Sequence, residues 1–344
     1  MADTTPGLVC GHHHLYSALA RGMPAPPRTP TTFLEILEQI WWRLDVALDL
    51  DMLRWSAMLG ALEALECGTT AIVDHHEGPM AIEGSLDVIA QACAEVGVRV
   101  ACCYGVTDRH GPDGARLGLE ENERFLRGGG RGMVGIHAAF TCSDPTLEAA
   151  AGLARDLGVG IHVHVAEGTV DIDAPARLSA LVADDWLVAH GVHLPRPVPE
   201  PFARTTLAHC ARSNMNNAVG YARPRTWLGA VVLGSDGIGA DMLEELRIAY
   251  VRAREDDVLS TPSDVWAWLE GGWGLVPEAL GDRVRWSYDW VDDPWRLAFT
   301  PGVRALDVWV DGQQVLANGA ATRVDAVEVR ARAAEQAVRL FARL

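Results

Sequence analysis

Lysine is missing from this sequence: all 29 basic residues are arginine. Chemistry that runs through a lysine amine is therefore closed to the chain. This removes Schiff-base and pyridoxal-phosphate catalysis, phosphate binding by a Walker-type loop, and two-metal centres bridged by a carboxylated lysine. No apolar run reaches the roughly 18 residues that span a bilayer, so no transmembrane helix is expected. The first seven residues have neither a basic nor an apolar region, which speaks against a secretory signal. No Cys-x-x-Cys pair occurs and the seven cysteines are odd in number, so free, mostly buried thiols in a reducing cytoplasm are the simplest expectation. Positive charge is scarce beside 46 acidic residues. The net charge of −17 argues against nucleic acid or anionic membrane as a partner through bulk electrostatics.

What is present is an alternation of β-rich runs and helical stretches. Strands are expected at 8–11, 70–74, 98–104, 133–137, 159–165, 186–190, 205–209 and 230–235. Helical patterns lie between them: one long helix over 32–67 ended by Gly68, then 85–96, 119–126, 144–157, 174–182 and 241–254. Asp144, followed by Pro145, reads as a helix cap. The pattern predicts an α/β fold, a (β/α)8 TIM-like barrel over residues 6–300. An open doubly wound sheet could supply the same strand count. The strand ends discriminate: His12 and His14, His75 and His76, His137, His164, His190, His209 and Asp236 all fall at or just after the C-terminal end of an expected strand. Only a closed barrel brings all such ends to one mouth. A hairpin turning on Asp311-Gly312 (within 301–322) and a terminal helix (within 323–344), capped by Asp325 with Glu328 at capping-box spacing, complete the chain.

Three short segments could carry chemistry. In Gly11-His12-His13-His14, residues 12 and 14 share a face of a strand, so both imidazoles could reach one metal ion. In His162-Val-His164-Val-Ala-Glu167, His164 would face the mouth with Glu167 on the loop above. In Leu233-Gly-Ser-Asp236-Gly237, Asp236 would lie beside His12 and His14 once the first and last strands met. Each also has a structural reading: a tag remnant, a satisfied core histidine, a turn. Together, imidazoles and one carboxylate suit zinc or ferrous iron. His190, His137 and His209 could serve the site or only the core, His209 at least as readily the core. His75, His76, Asp108, Arg109 and His110 could also approach the mouth. Trp41-Trp42 could form an aromatic platform, although most of the 12 tryptophans read as packing residues.

These segments, with Cys67-Gly-Thr-Thr-Ala-Ile-Val-Asp-His-His76, Gly135-Ile-His137-Ala-Ala-Phe-Thr141, Ala189-His190-Gly-Val-His-Leu194 and Ser213-Asn-Met-Asn-Asn-Ala-Val-Gly220, run in an order that resembles the amidohydrolase superfamily. Within its deaminase/chlorohydrolase branch the sequence is most similar to the SsnA-type aminohydrolases, over roughly residues 6 to 256. The resemblance implies one divalent metal per chain, zinc with iron as the alternative. His12, His14, His164 and Asp236 would be its ligands, Asp236 also accepting a proton. Glu167 would carry a proton to a substrate ring nitrogen, His190 would hold the activated hydroxide or polarise the substrate, and His137 would line the pocket. The implied reaction is hydrolytic deamination of a cyclic amidine in a purine-, pyrimidine- or pterin-like heterocycle. Alternatives are hydrolysis of another C–N or C–halogen bond on such a ring, or a barrel that only binds a ligand. The chain departs from the family pattern in two places. Only five residues precede Pro6, so the small β-subdomain is expected to lack its N-terminal half and to leave the 301–322 hairpin unpartnered, covering the barrel or pairing in a dimer. The proline-rich stretch 195–201 cannot be a helix interior, so a loop is expected in place of the sixth barrel helix.

Overall fold

The computed structural model describes residues 3–344. Fourteen strands occur among them, in three sheets. In chain order they are β1 (Thr4–Thr5), β2 (Leu8–His14), β3 (Thr69–His76), β4 (Arg99–Tyr104), β5 (Val134–Ala138), β6 (Ile161–Val165), β7 (Leu187–His190), β8 (Thr206–His209), β9 (Val231–Leu233), β10 (Asp236–Gly237), β11 (Arg283–Trp286), β12 (Ala305–Val310), β13 (Gln313–Ala317) and β14 (Ala320–Ala321). Two sheets are parallel, in the orders β10-β2-β3-β4 and β5-β6-β7-β8-β9. The third is antiparallel, in the order β1-β11-β12-β13-β14.

Backbone pairing thus divides the eight expected strands between two parallel sheets. The sheets adjoin at both margins. Parallel bridges link Cys102 to Gly132 and Val106 to Ile136 where β4 meets β5. At the other margin the last expected strand splits into β9 and β10. The intervening amides change partners: Gly234 N–H donates to the His209 carbonyl and Ser235 N–H to the His12 carbonyl, each at 3.1 Å. This transfer aims Asp236 at β2. Val9, Ala71 and Val73 of one sheet share a buried cluster with Leu187, Ala189 and Val232 of the other, so the inner faces enclose one apolar plug. Each of the valines and Leu187 contributes about 1.5–3 kcal/mol through burial.

Several local expectations need correction. The helix expected over 32–67 is broken at Leu48–Asp49: Leu48 is extended, and Asp49 accepts the Met52 amide at 2.9 Å to start a new helix, Leu50–Glu66. The first part, from Phe33 to Ala47, contains a π-helical turn at Leu37–Trp41. The cap of the helix Asp144–Leu157 is Ser143, not Asp144, because the Ser143 side chain accepts the Thr146 amide. The C-terminal hairpin is not unpartnered either. β11 flanks β12 on one side, β14 flanks β13 on the other, and β1 extends the sheet beyond β11. The expectation of a bare edge failed because the two added neighbours are short: β11 alternates Arg-Val-Arg-Trp over only four residues, and β1 is two residues long. In the 195–201 region the only helix is Glu200–Ala203, as the prolines dictate. Among the described residues, no helix is long and apolar enough to cross a membrane.

Candidate active site

β2 runs through to His14, beyond the expected end at Gly11, and strand alternation puts His12 and His14 on one face. His13 turns the other way, its Nδ1 2.9 Å from the Ser235 hydroxyl. Asp236 Oδ1 lies 3.2 Å from His12 Nε2 and 3.0 Å from His14 Nε2. His164, in β6, brings its Nε2 to 3.2 Å from His14 Nε2. The four residues proposed from the sequence as ligands therefore meet at the C-terminal ends of three strands. His190, at the end of β7, joins them: donor atoms of His12, His164, His190 and Asp236 all lie within 4.8 Å of one another. His190 and Asp236 have φ of 71° and 60°, a left-handed conformation that costs about 1–3 kcal/mol in a non-glycine residue and that gathers at functional sites.

The far nitrogens of these rings determine what the near ones offer. His14 Nδ1 is 2.5 Å from the His75 carbonyl and His164 Nδ1 is 2.7 Å from the His137 carbonyl. A carbonyl only accepts, so each Nδ1 carries the proton and donates. His190 Nδ1 donates likewise to Asn214 Oδ1 at 2.8 Å. Each ring then turns its Nε2 towards the shared centre. Burial favours the neutral form of two of the cluster's rings: His12 is pushed down to about 4, and His164 well below the ordinary imidazole value. His14 differs: burial opposes its charging, yet the Asp236 carboxylate raises it to about 9. A proton on His14 Nε2 serves Asp236 and His164 there, and a divalent cation could take that proton's place between the same atoms. Burial would also raise Asp236, but hydrogen bonds from His12 and His14 outweigh it and hold the carboxyl well below the usual range. The donor set fits a divalent metal ion.

Glu167 lies on the loop after β6. Its Oε2 is 3.5 Å from His190 Nε2, and Asn217 Nδ2 donates to its Oε1 at 3.5 Å. Burial pushes this carboxyl up to about 7. Asp171 shapes the loop by accepting the Ala166 and Phe140 amides, at 2.7 and 3.0 Å. His137 lines the same cleft, held by Thr141 Oγ1 at 2.6 Å, with Nε2 3.4 Å from Glu77. The cleft has about 670 Å³ of empty space, and Trp41, Trp42, Phe33 and Phe140 give it apolar walls.

Other sequence candidates fall elsewhere. His209 packs edge-on against Tyr221 and Trp268 and belongs to the core. His75 adjoins the cluster: a donor atom of its ring lies within 4.8 Å of those of His14 and His164, while its Nε2 is 3.1 Å from the Ile136 carbonyl. His76 is buried without a hydrogen-bond partner. Asp108 accepts the Ser143 amide and the Thr146 hydroxyl, a structural role. Arg109 pairs with Asp45 and Glu77. Those two acids, with Tyr16 and Asn217, were missed as wall residues. Glu77 follows β3 directly and could have been found by its strand-end position. Asp45 sits in a helix and gave no signal.

The amidohydrolase family model matches residues 4–268. The chain is 31% identical over 274 residues to a 5'-deoxyadenosine deaminase of Methanopyrus kandleri, which covers 71% of this chain and 60% of the relative. It is 31% identical over 311 residues to a 5-methylthioadenosine/S-adenosylhomocysteine deaminase of Desulforudis audaxviator, covering 81% and 69% respectively. The chain thus spans 60% and 69% of the length of these two relatives. In fold it is similar to an adenosine deaminase from Xanthomonas campestris solved with bound zinc, at a TM-score of 0.84 and 20% identity, covering 98% of this chain and 85% of that one.

Proposed function

The chain belongs to the amidohydrolase family, and on that premise we propose that it is a metal-dependent aminohydrolase that removes the amino group of a purine-type heterocycle as ammonia. The observation that carries the reading is the convergence of imidazole Nε2 atoms and the Asp236 carboxylate beside a protonatable Glu167. We assign His12, His14, His164 and Asp236 to the metal. Zinc suits neutral imidazoles with one carboxylate, and ferrous iron is the other ion with that preference. On this reading the two parallel sheets act as one eight-stranded TIM-like ring within residues 6–300. The 301–322 hairpin would belong, with β1, β11 and β14, to a small β-subdomain, and 323–344 would be the terminal helix.

A divalent ion held there supplies Lewis acidity and an activated water. The rest is done by the chain. Glu167, protonated near neutral pH, donates to the ring nitrogen next to the reacting carbon and makes that carbon electrophilic. Asp236, ionised, takes the proton given up by the attacking water. His190 orients and polarises the oxygen that forms at that carbon, its own ring fixed by Asn214. The C–N bond breaks as the amino group takes a proton and leaves as ammonia. Trp41, Trp42 and Phe140 offer faces on which a planar ring can rest, and His137 closes the wall. The relatives named for adenosine-type substrates support a purine over the other rings. The test is metal content by plasma mass spectrometry, followed by ammonia release from a panel of aminated heterocycles. About one ion per chain with turnover of an aminopurine is the expected result. A chain that holds no metal after reconstitution, or a metal-loaded chain that releases no ammonia, would overturn the reading.

A further inference from the structure

His162 has no part in the reaction, although it opens the segment that supplies His164 and Glu167. It shares a face of β6 with His164 but lies two residues deeper, and it is 1% exposed. Its Nε2 is 2.8 Å from His12 Nδ1, and the two rings meet edge to face with centres 4.9 Å apart. Its Nδ1 is 3.6 Å from the Cys103 sulfur, and that sulfur is 3.6 Å from the Asp74 carbonyl. Cys103 is itself 1% exposed. The four groups form a buried line from β2 through β6 to β4 and β3, crossing from one parallel sheet to the other and back.

The hydrogen bonds along this line can run in two directions. In one, the Cys103 thiol donates to His162 Nδ1, and His162 Nε2–H donates to His12 Nδ1. The His12 proton then sits on Nε2, 3.2 Å from Asp236 Oδ1, and fills the place of an ion. In the other, His12 Nδ1–H donates to His162 Nε2, His162 Nδ1–H donates to the sulfur, and the thiol donates to the Asp74 carbonyl. Only the second direction frees His12 Nε2 for a metal. Every donor in it has an acceptor, because a thiol both accepts and donates. Burial supports the forms this needs: it holds His162 well below the ordinary imidazole value and the Cys103 thiol well above its own.

We infer that His162 and Cys103 are positioning residues of the metal site: together they hold His12 in the tautomer that can ligate. The inference rests on the metal assignment proposed above and extends it to side chains that do not touch the ion. His14 and His164 donate the corresponding bond to backbone carbonyls. His12 donates it to a side chain, so its tautomer is the one that substitution can undo.

The test is the zinc affinity of the full-length chain, read by competition with a chromogenic chelator. His162→Leu removes the acceptor and should weaken zinc about 10- to 100-fold. His162→Gln puts an amide oxygen where Nε2 stood and should restore most of that loss. Cys103→Ala strands the His162 Nδ1 proton and should weaken zinc in the same direction, by less. Melting curves of the metal-free variants identify any that misfold. One measurement needs no variant to fold: with isotope-labelled histidine, nitrogen NMR of the zinc-loaded wild type should place the His162 proton on Nδ1. Unchanged affinity in His162→Leu or Cys103→Ala, a loss that His162→Gln does not relieve, or a proton on His162 Nε2 in the zinc-loaded chain overturns the inference. A wild-type chain that takes up no zinc overturns the metal assignment and the inference with it. Zinc held with the His162 proton on Nδ1 but no ammonia release would refute the aminohydrolase reading and leave the inference standing.

Discussion

Replacing Glu167 by glutamine should separate turnover from stability, in opposite directions. The side chain is 12% exposed, and burial raises its pKa from 4.5 to about 7. An unfolded glutamate loses its proton at the lower value. Between pH 4.5 and about 7 the unfolded state is therefore progressively favoured, and above that window the whole penalty is present. It corresponds to roughly 3 kcal/mol. Glutamine keeps the shape and cannot ionise, so the metal-free variant should match wild type in urea at pH 4 and gain up to about 3 kcal/mol at pH 8. Turnover should fall about 100- to 10,000-fold, the usual worth of a positioned proton donor. Metal content should not change, because Glu167 is outside the proposed ligand set. A variant that stays active, loses its metal, or gains no stability as the pH rises would refute the reasoning.

Four further outcomes are expected. His12→Ala with His14→Ala should reduce the metal from about one ion per chain to a small fraction, read by plasma mass spectrometry; undiminished metal would exclude these ligands. Arg109→Met strands the buried Asp45 and Glu77 carboxylates and should cost about 3–5 kcal/mol in urea denaturation. Gly132→Ala would put a Cβ 1.9 Å from the Cys102 carbonyl at the seam between β4 and β5, so calorimetry should show a loss of at least about 2 kcal/mol. Asn214→Ala frees the His190 ring and should lower kcat about 10- to 100-fold with metal retained; an unchanged kcat would remove His190 from the mechanism.

The site was legible because its chemistry sits where β-strands stop. Strand periodicity located those ends to within three residues, β2 being the furthest off, and His12, His14, His164, His190 and Asp236 needed nothing finer. Helices with strong boundary signals, such as Ser85–Val96 with Gly97 after it and Asp144–Leu157, were read with their observed limits. What failed depended on tertiary context. β11 and β1 are too short to stand out: β11 forms four residues against the edge of β12, and β1 forms two against β11. The break at Leu48–Asp49 hides in a continuous apolar pattern, where an aspartate mid-run looks like a solvated position until its side chain is seen capping Met52. The cleft walls were hidden for the same reason. Asp45 and Trp42 reach the site only because the segment from Phe33 to Ala47 folds over the strand ends.

The orientation of the imidazoles is a property of the fold more than of the histidines. His14 and His164 are each fixed by a carbonyl of a neighbouring strand, from His75 and His137, and those carbonyls also belong to residues at strand ends. No substitution removes a carbonyl, so the proton on Nδ1 and the inward direction of Nε2 are set as soon as the strands come together. Asn214 is the one side-chain acceptor among the three, and it holds His190, the ring assigned to the reacting oxygen rather than to the metal. On the proposed assignment, the two rigid donors for the ion and a tunable donor for the chemistry are built from different materials. Sequence change near Asn214 can alter the reaction at the ring carbon while leaving the metal site intact. Change at Asp45, Glu77 or the Phe33–Ala47 segment can alter which heterocycle enters without touching either.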